Sequence, residues 1–195
     1  TLQRLSWERF DDLGFGFGFW AFPGGDGWTY HFGNRNVLNL AMDGGFENGP
    51  HAATENFLGR GRSMSGGVTE VWDGSGWVSD LSRARPIFSD GWAAAMLRPV
   101  RRADGSWIAV MKDDEFWGTD LKLLVAPDAA GPWSEAGRYE LPPSGSVATV
   151  TYHASIVAAS QCAVSVVVSS NVAVWQEVLD HPDLYRPFSM QIATC

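Results

Sequence analysis

The densest polar cluster of the chain is Lys112-Asp113-Asp114-Glu115, followed by Phe116-Trp117-Gly118-Thr119-Asp120. Carboxyl groups flanked by aromatic rings suit a sugar site, where the carboxyls move protons and the rings stack on sugar faces. Hydrolysis of a glycosidic bond needs two carboxyls on opposite sides of it. They stand about 5–5.5 Å apart for retention and about 6.5–9.5 Å apart for inversion. Neighbours in one hairpin rarely reach that geometry alone. Asp114 and Glu115 are therefore candidate catalytic groups in need of a partner, with Asp43, Glu55 and Glu70 as choices. The plain alternative is a solvated acidic loop.

Other residue types narrow the chemistry. Tyr152 and His153 form an adjacent pair that can hold a substrate hydroxyl, ligate an ion or tune a carboxylate. Trp20, Trp92 and Trp117 border Gly-rich stretches and can stack on sugars, although Trp in a sheet is also ordinary core. His31 and His51 have no evident partner, and Arg98, Arg101 and Arg102 read as a solvated hairpin edge. Thr1 can act as a nucleophile through its own amine, or simply mark where trimming ended. No CxxC or His-Cys cluster exists, so no structural zinc is expected, and a channel-bound cation is the one inorganic group left in view. Cys162 and Cys195 fit either one disulfide of a secreted protein or two unrelated thiols. As a bridge they would pin a closing strand that otherwise frays.

The elements that must position these residues are strands. The 195 residues include 22 Gly and 10 Trp, with 45% hydrophobic and 18% charged side chains, a composition that excludes disorder. The net charge of −8 argues against a nucleic-acid surface, and no apolar run approaches the roughly 18 residues of a membrane span. Gly14 to Phe19 alternates Gly and Phe, and strands follow at Trp28–Phe32 and Val37–Met42. Residues 43–67 read as the longest irregular stretch. Val68–Trp72, Ala93–Val100, Trp107–Met111, Leu121–Val125, Arg138–Leu141, Val147–Val157, Ala163–Val168 and Phe188–Ala193 complete the strand pattern. Only Val174–Leu179 suggests a turn or two of helix.

The pattern repeats. Gly27-Trp28-Thr29-Tyr30, Ser106-Trp107-Ile108-Ala109 and Cys162-Ala163-Val164-Ser165 align as second strands after a turn. Leu38-Asn39-Leu40-Ala41 and Leu121-Lys122-Leu123-Leu124 align as third strands. Four-stranded units repeated in this way are propeller blades, so the expected fold is an all-β propeller with three blades at about 14–85, 86–142 and 147–195. A β-sandwich is the alternative. In the propeller, Tyr152-His153 would face the central channel. Three blades do not close a ring, so further blades or a partner chain must complete it, and the open faces would form an apolar patch that drives association.

Several stretches resemble a known family. Gly91-Trp92-Ala93-Ala94-Ala95-Met96, Asp104-Gly105-Ser106-Trp107, the 112–120 cluster and Ala126-Pro127-Asp128-Ala129-Ala130-Gly131-Pro132-Trp133 are similar to segments of secreted five-bladed propellers that include actinobacterial endo-D-arabinanases. Trp72-Asp73-Gly74-Ser75-Gly76-Trp77, Tyr152-His153-Ala154, Val166–Asn171 and Asp183-Leu184-Tyr185-Arg186-Pro187 extend the likeness. The resemblance implies a secreted glycoside-hydrolase-like propeller acting on an arabinan-type polysaccharide, with the opening blades of the family lacking a counterpart here. A carbohydrate-binding or assembly propeller without catalysis is the competing expectation.

Overall fold

The computed structural model describes residues 16–37, 53–64, 67–90, 97–112, 119–142, 149–172, 175–180, 182 and 186–195. Among these residues the chain is all-β and antiparallel, with three sheets that follow one another in sequence and none that closes on itself. The first sheet holds β1 (Gly16–Pro23), β2 (Thr29–Val37), β3 (Ala53–Gly61), β4 (Glu70–Trp72), β5 (Trp77–Val78) and β6 (Phe88–Asp90). The second runs β7 (Val100–Arg101), β8 (Trp107–Lys112), β9 (Asp120–Ala126) and β10 (Ser134–Glu140). The third runs β11 (Thr149–Ala159), β12 (Ala163–Val172) and β13 (Phe188–Ala193). A short helix, α1 (Trp175–Asp180), covers the stretch where a helical turn was expected.

The second sheet lies between the other two, and strand alternation sorts its side chains. Trp107, Ala109 and Met111 of β8, with Leu124 and Ala126 of β9, pack with Tyr30, Phe32 and Leu58 of the first sheet. Ile108, Val110, Leu121 and Leu123 pack with Ala154, Ile156, Val164, Val166, Val168 and Ile192 of the third. Every residue of β8 is consequently buried, as expected of a strand covered on both faces. The sequence expressed this as a continuous apolar run rather than a clean alternation.

The same burial takes in both lysines of the chain. Lys112 and Lys122 are 1% and 4% exposed. The register sets Lys112 opposite Leu121 and Lys122 opposite Met111, so the two point to opposite faces of the second sheet. An amine-reactive ester should therefore label neither lysine in the native chain and both after denaturation. Peptide mapping by mass spectrometry checks this, and native labelling at either position would contradict the stacked arrangement.

Two strand expectations change. The third strand of the first sheet is β3, inside the stretch read as irregular, and it pairs with β2 from Val37↔Ala53 to Thr29↔Gly61. Residues 38–42, expected as that strand, lie outside the described residues, as do 93–96 of the expected Ala93–Val100 strand. The composition of β3 misled for a packing reason. A Cβ at Gly59 would run into Val68, and one at Gly61 into the carbonyl of Gly67. Buried Asn56 is kept because its Oδ1 accepts the Leu97 N–H at 3.1 Å. Beside β3, β4 pairs at Gly59 and Arg60, and β6 pairs at Thr54 to Asn56. The fourth position of this sheet is thus filled by two collinear pieces separated by residues 73–87.

The outward face of the third sheet carries small, polar and apolar side chains, and Val157 of β11 is exposed. Cross-strand pairs Ala163↔Ala193, Ser165↔Gln191 and Val167↔Ser189 lie there, opposite in sense to the buried Val164, Val166 and Val168. On the outward side of the first sheet, Phe17, Phe57 and Val71 are covered by Val68, Val78, Leu81 and Ala84.

Candidate functional site

Each sheet begins with an edge strand, and hydrogen bonds join these edges. Trp20 of β1 donates its indole N–H to the Pro99 carbonyl at 2.8 Å. Arg98, two residues before β7, donates from Nη1 to Ser155 Oγ of β11 at 2.9 Å. The three first strands therefore meet around residues 97–101. At the adjoining hairpin end, Arg101 donates to the Gly24 carbonyl of the β1–β2 turn. Arg102 donates to the Gln161 carbonyl at 3.0 Å and to Thr194 Oγ1 at 2.6 Å. Arg101 is exposed, as expected of a solvated edge, but Arg98 and Arg102 are half-buried, which corrects that expectation for those two. Their long side chains reach neighbouring sheets, which sequence adjacency to a turn does not reveal.

His153 lies on the first-strand edge of the third sheet. The β11–β12 register slips between Tyr152↔Ser169 and Ser155↔Val167, and His153 has φ 51°. A non-Gly residue in the left-handed region at a bulge turns a side chain away from the regular ladder, a device common at sites that bind something. His153 is exposed. Partial desolvation of the ring, followed by the positive charge of Arg98, holds its pKa below the usual histidine value. Burial likewise lowers the pKa of Arg98. At neutral pH the edge presents a neutral imidazole, a guanidinium and a hydroxyl. That set can hold hydroxyl groups or an anion.

The other expected site residues fall as follows. Asp114, Glu115, Trp92 and Trp117 lie outside the described residues, as do Asp43, His51 and Thr1. Tyr152 is described only in its backbone, within β11. Trp20 packs against the aromatic cluster between the first and second sheets, with its N–H committed to Pro99. Glu55 is on β3, the third strand of its sheet. Glu70 is held by Arg60 at 2.5 Å, away from the joined edges. Arg60 in turn lies over the rings of Trp28 and Trp77, 4.1 and 4.3 Å from their centroids. Cys162 and Cys195 form a disulfide. Among the described residues no group of three His, Cys, Asp or Glu is placed to hold a metal ion, and no helix is long and apolar enough to cross a membrane.

Sequence reasoning missed Arg98 and Ser155. Neither carries a motif, and they meet only because the sheets stack. Comparison with models of known families, with curated proteins and with solved structures finds no match.

Proposed function

We propose that the chain forms blades of a five-bladed propeller of glycoside-hydrolase type, acting on an arabinan-type or other furanoside-containing polysaccharide outside the cell. One observation carries this reading: three consecutive meander sheets stack face to face, with their first strands joined by the Trp20–Pro99 and Arg98–Ser155 hydrogen bonds. First strands brought together are what blades around an axis require. The disulfide is consistent with an extracellular setting. Further blades, a second copy or a partner chain complete the ring.

In this reading Asp114 and Glu115 supply the carboxyls. Both lie outside the described residues. His153 and Arg98 bind sugar hydroxyls along the axis. Incubation with arabinans and a panel of other polysaccharides, with products read by mass spectrometry, should show release of oligosaccharides. Glu115→Gln or Asp114→Asn should lower the rate by about 10²–10⁴-fold. No release from any glycan, with ring-completing blades restored, would sink the hydrolase reading.

The groups that the described residues bring to the joined edges are Arg98, Ser155 and His153, which bind but do not supply a carboxyl pair. This favours, as a second reading, a carbohydrate-binding propeller without catalysis. Glycan binding without turnover, weakened by Arg98→Gln, is its expected result.

A further inference from the structure

His31 stands apart from the joined edges and has its own chemistry. It lies on β2 opposite Ala21 of β1 and Gly59 of β3. It is 5% exposed, and its Nε2 is buried with no hydrogen-bond partner among the described residues. The other ring nitrogen is engaged by the Ser63 main chain. The cover over this histidine is backbone. Gly61, whose Cβ position would lie 3.7 Å from Nε2, sits directly under the Gly67 carbonyl. Val68 packs in the same way over Gly59. The covering segment is tied to β3 by Thr69, which donates its N–H at 2.9 Å and its hydroxyl at 3.3 Å to the Arg60 carbonyl.

We propose that His31 is an acid-operated latch: a proton on Nε2 releases the Gly67–Thr69 segment from β3 while the three stacked sheets stay folded. Protonated Nε2 becomes a buried donor that, among the described residues, has no acceptor within hydrogen-bond geometry, which is costly in a dry site. Among the described residues packed around it, no charged group offsets it. Across β1 stands Ala21, along β3 stand Gly59 and Gly61, and from the covering segment come Gly67 and Val68. Arg60 is opposite Tyr30, on the other face of the sheet, where it pairs with Glu70. Arg62 lies over the Trp28 ring, 3.5 Å from its centroid. Lifting the Gly67–Thr69 cover gives Nε2–H water at the loss of the Thr69 bonds and of the Val68 packing, and leaves the β1–β2–β3 ladder in place.

The sign follows from burial, which depresses the pKa of His31 below the ordinary 6.5. The closed form binds the proton less well than the open form. The latch is therefore fully closed above about pH 6.5 and loosens as pH falls. Below 6.5 the open fraction rises by about tenfold per pH unit, until the pKa of the closed form is reached.

Hydrogen exchange of the whole chain between pH 7.5 and 4.5, corrected for intrinsic rates, tests this. The Thr69 amide should lose protection at about tenfold per unit below pH 6.5, while the Val110 and Val166 amides keep theirs. His31→Phe should abolish the dependence. Should that variant not fold, the wild-type His31 ring signal must titrate together with Thr69 protection. Protection of Thr69 that does not change with pH would overturn the proposal. So would joint loss with Val110, or a dependence that survives in His31→Phe. This latch does not depend on the glycan reading, since exchange is measured without any ligand.

Discussion

Trp107→Ala should destabilise the chain by about 3–5 kcal/mol, near the top of the range for truncating a buried aromatic. Trp107 is 3% exposed and is the first residue of β8. Its ring reaches from the second sheet into the aromatic residues of the first. Phe22 lies 5.4 Å away and Tyr30 5.5 Å away, both edge-on, and Phe32 lies 6.1 Å away. Such edge contacts add about 0.5–1.5 kcal/mol beyond area burial. The surrounding strands are fixed by their ladders, so the site cannot collapse to fill the space. For a chain of this length each kcal/mol moves Tm by about 2–4 °C, which places the variant roughly 10–15 °C below wild type. Trp107→Phe keeps a ring in the cluster and should cost much less. Calorimetry of the three proteins decides. A Trp107→Ala loss below about 1 kcal/mol would mean that this ring does not join the sheets.

What could be read in the sequence follows how local each determinant is. The second strands β2, β8 and β12 were legible because each is a β-branched or aromatic run following a short turn. In two of the turns the polar side chain closes back on the chain: Asp26 accepts the Trp28 N–H and Asp104 the Ser106 N–H, at 3.0 and 2.9 Å. The third strand β3 was not legible. Gly59 and Gly61 look like loop residues until Val68 and Gly67 are placed against them, and Asn56 looks polar until it binds Leu97. The split fourth position was also hidden, because β4 and β6 are short and residues 73–87 separate them. The site divided in the same way. His153 could be suspected from its type and place, but its bulge depends on how β11 pairs with β12. Arg98 looked solvated because its partner, Ser155, is on another sheet.

Loss of the disulfide is the second large effect. Cys162→Ser, Cys195→Ser or reduction should each cost about 3–4 kcal/mol, the chain-entropy value for a crosslink spanning 33 residues. The bridge ties the β11–β12 turn to the residue after Thr194, just beyond β13. Its surroundings sharpen the prediction. Thr194 donates its N–H to the Cys162 carbonyl at 2.9 Å, and Arg102 from the second sheet binds both Gln161 O and Thr194 Oγ1. Three elements meet at this one point, so freeing Cys195 also withdraws the Thr194 hydroxyl from Arg102. That guanidinium already keeps Nε buried without a partner among the described residues, and an unmatched buried donor is expensive. Reduction should therefore loosen the contact between the second and third sheets at this end, in addition to stabilising the unfolded chain. Arg102→Lys separates the two contributions. It keeps the charge but replaces Nη2, the single nitrogen that donates to both acceptors, with a shorter-reaching ammonium. In the oxidised protein the substitution should cost roughly 1–2 kcal/mol, and in Cys162→Ser less, because part of the network is already gone. A double-mutant cycle by urea unfolding measures the coupling. Strict additivity would show that the disulfide acts on the unfolded chain alone, with no share in holding the two sheets together.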